Sequence, residues 1–318
     1  MWKWIILLLF SVFAVYISII FGYKTKLIDN PSSEKIHKIT IPRTGGMGIF
    51  FAFFLGIILF GDPFNIYETL FLISIFLIGF VDDMISIPQK IKFSIEIGLA
   101  IILGIVNPWK FIDIFVINIL FSTFYLVGSI NALNEVDGMD GLAGGVVLIS
   151  CLFLSYLFMD IPLVVAIACL GFIIWNFHPA KVFMGDGGAL FLGAFVGIIS
   201  LKILNSNPNI STLIALIFIY SIPIYDSFLT VIRRFYSRSS IFKPDLYHFY
   251  NKLYNITGNY IGTVIIIYIF AIVFSLIGLY LYKMPPIWSI IIGSSIWMLL
   301  TYVGYRLGFI IDYKSKKT

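Results

Sequence analysis

Residues 2–23 read WKWIILLLFSVFAVYISIIFGY, an apolar run whose one charge is Lys3, followed directly by Lys24 and Lys26. About 20 apolar residues cross a bilayer's hydrocarbon core. With no small-residue cleavage site behind it, the run is expected to be a retained first membrane helix and not a removed signal peptide. The rest of the chain follows suit. Of its 318 residues, 60% are hydrophobic and only 12% charged, against roughly 25% charged in a soluble domain, and mean hydropathy is +1.02. The longest interval without a spanning-length run, around residues 233–258, falls far short of the roughly 50 residues an independent domain needs. Residues 1–318 are therefore expected to form one all-α integral membrane unit, with function confined to loops and helix ends.

Outward from residues 2–23, ten further apolar segments follow at 45–60, 67–81, 93–107, 112–130, 143–160, 161–177, 189–204, 210–232, 260–282 and 287–310, making about eleven transmembrane helices. The third, fourth, seventh and eighth are short. Sixteen of the 21 Lys and Arg residues fall in 24–44, 82–92, 177–188, 233–259 and 311–318, all on one side of such a bundle. The positive-inside rule puts that side in the cytoplasm, the N-terminus outside and the C-terminus inside. The opposite connections are a few residues each, so the unusual sequence, and the chemistry, is cytoplasmic. Cys151 and Cys169 lie inside apolar runs and suggest neither a disulfide nor a metal site. No nucleic-acid partner is expected, and no internal repeat supports a transporter of two related halves.

Three acidic constellations occupy the inner loops. Asp82 and Asp83 end the third segment in GFVDDMISIPQKIKF, ahead of Lys90 and Lys92. Ionisable groups at membrane depth are costly and usually functional, although a solvated helix terminus would look the same. FHPAKVFMGDGGALFLG sets Asp186 in a glycine-flanked turn opening a helix, with Phe183 just before; backbone there can approach a ligand closely, and the helix start offers N–H groups to an anion. A plain turn is the alternative. NALNEVDGMDGLAGG carries Asn131, Asn134, Glu135, Asp137 and Asp140, hard oxygen donors suited to Mg²⁺ or Mn²⁺ but without EF-hand spacing. A structural Asx-rich connection would account for it alone; three such loops on one face would not be coincidence. Arg43, before Thr44-Gly45-Gly46, is a candidate anion binder, while most other inner Lys and Arg are explained by topology. His37 and His248 read first as loop polar groups.

Taken in order, LIDNPSSEKIHKITIPRTGG, VDDMISIPQKIKF, NALNEVDGMDGLAGG, NFHPAKVFMGDGGALFLG and PDLYHFYNKL resemble the polyprenyl-phosphate N-acetylhexosamine-1-phosphate transferases, over most of the chain. The resemblance implies a multi-pass enzyme of the bacterial inner membrane whose active site faces the cytoplasm. There a polyprenyl phosphate such as undecaprenyl phosphate attacks the β-phosphorus of a UDP-N-acetylhexosamine, and UMP leaves. It implies Mg²⁺, with Mn²⁺ as substitute, on Asn134 and Asp186. Asp82 and Asp83 become the catalytic carboxylates, the assignment of a base between them left open, and Lys90 and Lys92 become cations that neutralise phosphates. Phe183 stacks on uracil, Asn131, Asp137 and Asp140 line the nucleotide side, and His37 and Arg43 fall in a substrate-contacting first loop. Beyond these substrates and membrane lipid, the expected partner is a second copy of the chain, as a dimer.

One departure bears on the sugar. Many members end in a histidine cluster, D-x-x-H-x-H-H-x-L, whereas residues 245–253, DLYHFYNKL, keep only His248. That points away from the peptidoglycan-precursor branch and towards O-antigen or capsule initiators using N-acetylglucosamine or a related deoxyhexosamine. Two rival readings stay open here: a cation-coupled carrier with Glu96 and Asp226 on its ion path, and a non-catalytic relative acting as an assembly partner.

Overall fold

The computed structural model describes residues 1–31, 39–61, 63–158, 160–237 and 247–310. They form thirteen helices and one minimal strand pair: α1 Trp2–Thr25, β1 Ile28–Asp29, β2 Ile41–Pro42, α2 Gly45–Phe60, α3 Ile66–Ile85, α4 Gln89–Val106, α5 Phe115–Val136, α6 Leu142–Phe158, α7 Ile161–Asn176, α8 Gly185–Ser206, α9 Ile210–Ile219, α10 Ser221–Tyr236, α11 Phe249–Thr257, α12 Tyr260–Tyr282 and α13 Pro286–Arg306. The strands pair antiparallel, Ile28 opposite Pro42. The protein is thus all-helical in substance. Five helices, α1, α5, α8, α12 and α13, are long and apolar enough to cross a membrane, and the bent pair α9–α10 makes a sixth.

Each of the eleven apolar segments coincides with a helix or, for 210–232, with two. The third, fourth and eighth are longer than their apolar runs because charged ends continue the helix: α3 runs through Asp82 and Asp83, α4 begins before Lys90, and α8 takes in Asp186. The ninth segment breaks, α9 and α10 meeting at 88°. Pro223 lacks the N–H that would bond the carbonyl of Ile219, and that carbonyl instead accepts from the hydroxyls of Ser150 at 2.9 Å and Ser275 at 3.4 Å.

The bundle is built around α8, the most deeply buried of its long apolar helices, which packs chiefly on α3 and α5. Lipid tails are as apolar as leucine, so helices in a membrane gain by close packing rather than by leaving water. Small residues supply it. A Cβ on Gly193 would stand 2.7 Å from the Cα of Ile130, and one on Gly46 of α2 only 2.4 Å from the Cα of Gly188. Hydroxyls add interhelical bonds, as from Ser129 to the carbonyl of Gly193 at 2.8 Å.

At one end of the α3–α8 pair, Asn65 caps α3 in a reciprocal box with Glu68. Glu68, fully buried, also takes Lys202 of α8 at 2.8 and 2.6 Å and the amide of Asn107 at 3.0 Å. This pin sets the register of the two helices. Their opposite ends carry Asp82, Asp83 and Asp186.

Candidate active site

Four of the expected site residues converge where α3, α4 and α8 meet. Lys92, almost wholly buried, bonds Asp82 Oδ2 at 2.7 Å and, closer still, Asp186 Oδ2. Asp82 also ties down the α3–α4 turn, its Oδ1 accepting the N–H of Ile87 at 2.5 Å. Asp83 accepts the backbone N–H groups of Asp186 at 3.0 Å and Gly187 at 3.1 Å, so the last turn of α3 caps the first turn of α8. A carboxylate at a helix N-terminus satisfies orphan donors and meets the positive end of the dipole.

The backbone around this cap tolerates only glycine. Gly185 has φ +74°, and a Cβ there would lie 2.6 Å from Asp83 Oδ2 and 2.5 Å from the carbonyl of Arg43; one on Gly79 would lie 2.5 Å from the carbonyl of Asp186. The first loop joins through main-chain bonds: Phe183 N–H donates to Pro42, Gly45 N–H to Phe183 and Gly46 N–H to Met184, at 2.8, 2.9 and 2.9 Å. Half-buried Phe183 is held there, while the guanidinium of Arg43 pairs with Asp29. His37 lies outside the described residues.

From α5, Asn131, Asn134 and Asp137 follow at intervals of three. Burial pushes the Asp137 carboxyl up to about 7, with the charges of Asp186 and Asp83 adding to the effect. Asp137 therefore belongs electrostatically with the carboxylates of α3 and α8. Hard oxygen donors in mutual repulsion, with Lys92 the cation bonded among them, are the donor chemistry of a Mg²⁺ site, and Asp186 is one of those donors.

Other expected residues stand elsewhere. Lys90 is exposed, clear of the carboxylates that hold Lys92. Asp140 is engaged by His178 Nδ1 at 2.7 Å and the N–H of Ala180 at 3.1 Å, and its own N–H donates to the Tyr260 hydroxyl at 2.5 Å, so it clasps three segments together. His248 belongs to a second cluster. Its Nδ1 lies 2.7 Å from Asp226 Oδ2, Asp226 Oδ1 accepts the N–H of Phe249 at 2.6 Å, and potential ligand atoms of Glu135, Asp226 and His248 lie within 4.8 Å of one another. The Ser227 hydroxyl donates to Glu135 at 2.6 Å and Arg234 approaches it at 3.8 Å. Each cluster thus already has a protein cation against its carboxylates, Lys92 bonded directly in the first and Arg234 at 3.8 Å in the second. Glu135, left without a role by sequence reasoning, thus belongs to the second cluster; adjacent Asn134 lies about 100° away around the helix.

A multi-helix membrane protein with a Lys-bridged carboxylate site at helix ends is the class that fold and site define. The chain belongs to glycosyl transferase family 4, whose family model matches residues 65–204, from the cap of α3 almost to the end of α8. It is 33% identical over 288 residues, 83% of this chain and 80% of the relative, to a probable undecaprenyl-phosphate N-acetylglucosaminyl 1-phosphate transferase of Bacillus subtilis. It is 30% identical to an undecaprenyl-phosphate alpha-N-acetylglucosaminyl 1-phosphate transferase of Thermotoga maritima, covering 88% of this chain and 89% of the other. A phospho-N-acetylmuramoyl-pentapeptide-transferase of Pelagibacter ubique is 34% identical over a shorter stretch, 54% of this chain and 62% of the relative.

Proposed function

We propose that the protein transfers N-acetylhexosamine 1-phosphate, specifically N-acetylglucosamine 1-phosphate, from a UDP-sugar to undecaprenyl phosphate, releasing UMP and starting an O-antigen, capsule or related envelope glycan. An oxygen of the lipid phosphate bonds to the β-phosphorus as the bond to the bridging oxygen of UMP breaks. Both reactants are anions, so the barrier is one of repulsion and positioning. The observation that carries the reading is Lys92 held between Asp82 and Asp186, with Asp83 fixing the α8 N-terminus beside them. It is supported by relatives whose names state this transfer.

In this reading Asp186 and Asn134 would hold Mg²⁺ or Mn²⁺, which neutralises diphosphate charge when bound. Lys92 carries fixed positive charge to the reacting phosphates, and Lys90, out at the rim, meets them on arrival. Asp82 orients or deprotonates the lipid phosphate. Asp83, spent on two backbone donors, acts by holding Asp186. Phe183 stacks on the uracil, and Asn131, Asp137 and Asp140 form the nucleotide wall, with Arg43 and His37 from the first loop and His248 from the second cluster bounding the substrates. The chain works as one unit of eleven spans, the ninth broken at Tyr220, with its N-terminus outside and its site facing the cytoplasm of a bacterial inner membrane, as a homodimer. The carrier reading needs Glu96 and Asp226 on a common path, yet each is bonded locally, to Asn131 and to His248.

Purified protein is expected to release UMP from UDP-N-acetylglucosamine only when undecaprenyl phosphate and Mg²⁺ are both present. Inactivity with every UDP-N-acetylhexosamine tried would overturn the assignment.

A further inference from the structure

Glu96 lies on α4 one turn beyond Lys92, fully buried, and the proposed chemistry gives it no task. Its Oε2 accepts a 2.6 Å hydrogen bond from Nδ2 of Asn131, while its Oε1 is buried without a partner among the described residues. The same Asn131 nitrogen donates to the carbonyl of Val127 at 2.9 Å. A side-chain amide has two N–H donors, so both are spent inside the protein, one on the backbone of α5 and one across to α4. Half-buried Asn131 is thereby held one way round, with its carbonyl oxygen as the end it can offer.

Burying a carboxylate with one oxygen unbonded is costly. A group needed only to pack α4 against α5 would be apolar at this depth. What the carboxylate does that an apolar side chain cannot is dictate which way the Asn131 amide points. We infer that Glu96 is a positioning residue of the active site, clamping Asn131 so that it meets the donor substrate purely as a hydrogen-bond acceptor. This rests on the reading of the site as one for a nucleotide sugar, and the group recognised is an N–H or O–H of that molecule. Glu96 touches Asn131 and not the reacting atoms, so its effect falls on substrate binding.

An exchange of donor and acceptor tests it. Asn131→Asp sets two carboxyl groups face to face and is expected to raise the KM for the UDP-sugar by about tenfold, the cost of one misdirected buried hydrogen bond, with a smaller change in kcat. The double variant Asn131→Asp/Glu96→Gln restores the bond with the donor on the α4 side, and KM recovers to within about threefold of wild type. Glu96→Leu raises KM as Asn131→Asp does. A double variant no better than Asn131→Asp alone, or a folded Glu96→Leu protein with wild-type KM, overturns the inference and leaves the transferase reading intact. A wild-type protein that releases no UMP overturns the substrate reading, and the inference with it.

Discussion

At one end of the α3–α8 pair, Glu68 is matched by Lys202 and completed by Asn107 and the Asn65 backbone; at the other, about 20 Å along α3, Asp82, Asp83 and Asp186 gather around Lys92. The carboxylates of both arrangements stand on the same two helices, with α4 adding Lys92 at one end and its C-cap Asn107 at the other. In the first, one acid meets one base and every oxygen of the carboxylate is bonded. In the second, carboxylates outnumber the cation bonded among them. A balanced buried pair fixes register; a surplus of negative charge costs stability unless a further cation arrives. The first end serves the fold, and the second carries the surplus charge on which the proposed function rests.

The largest effect expected from disturbing this contrast is at the surplus end. Asp186→Asn should lower UMP release by about 10²–10³-fold, the scale of losing an electrostatic stabiliser of the transition state, while the protein elutes from size exclusion as wild type does. Near-normal turnover would refute the metal assignment. At the balanced end, Glu68→Gln alone leaves a half-buried ammonium unmatched, and breaking such a pair costs up to about 3–5 kcal/mol. Glu68→Leu/Lys202→Met removes both charges and should regain most of the thermal stability in detergent, with turnover preserved. A double variant as inactive as Asp186→Asn would show that the two ends do not divide the work.

The smallest effect is a pH dependence. The carboxyl of Asp137 sits at about 7 in the folded protein and near 3.9 in an unfolded chain, so folding favours its protonated form. Its contribution is full below about pH 4 and is lost as pH rises through about 7. In EDTA, the thermal midpoint should fall between pH 5 and 8 by more in wild type than in Asp137→Asn. Identical slopes would detach Asp137 from the carboxylate group.

Much of this was legible from apolar runs, because a spanning helix announces itself by length and composition, and every such run is helical in the structure. The break at Tyr220 was not. Pro223 lies within a continuous apolar stretch, and the hydroxyls of Ser150 and Ser275 that satisfy the freed carbonyl come from distant helices. Within the site, Asp82, Asp83, Lys92 and Asp186 were readable as charge at helix ends. Lys90 and Lys92 were not separable, since residues two apart on a helix point about 200° from each other and only the start of α4 at Gln89 decides which faces inward. Asp83 was readable only as a carboxylate ending its own helix. The dipole it serves belongs to α8, a neighbour that sequence does not identify. Asp140, placed among the nucleotide contacts, has structural partners in His178 and Tyr260 that are remote along the chain.

The cap joining Asp83 to α8 also has a meaning in time. The ribosome delivers Asp83 103 residues before the amide of Asp186 that it receives, and the main-chain rungs from Gly45 and Gly46 wait still longer for Phe183 and Met184. Through the insertion of α3 to α7 these carboxylates and glycines face a seat with no occupant. The contacts that join α3, α4 and α8 are therefore complete only once the eighth helix is in the bundle, and a nascent chain stalled before that point carries every acid of α3 and α5 without the cap or the Lys92–Asp186 bond.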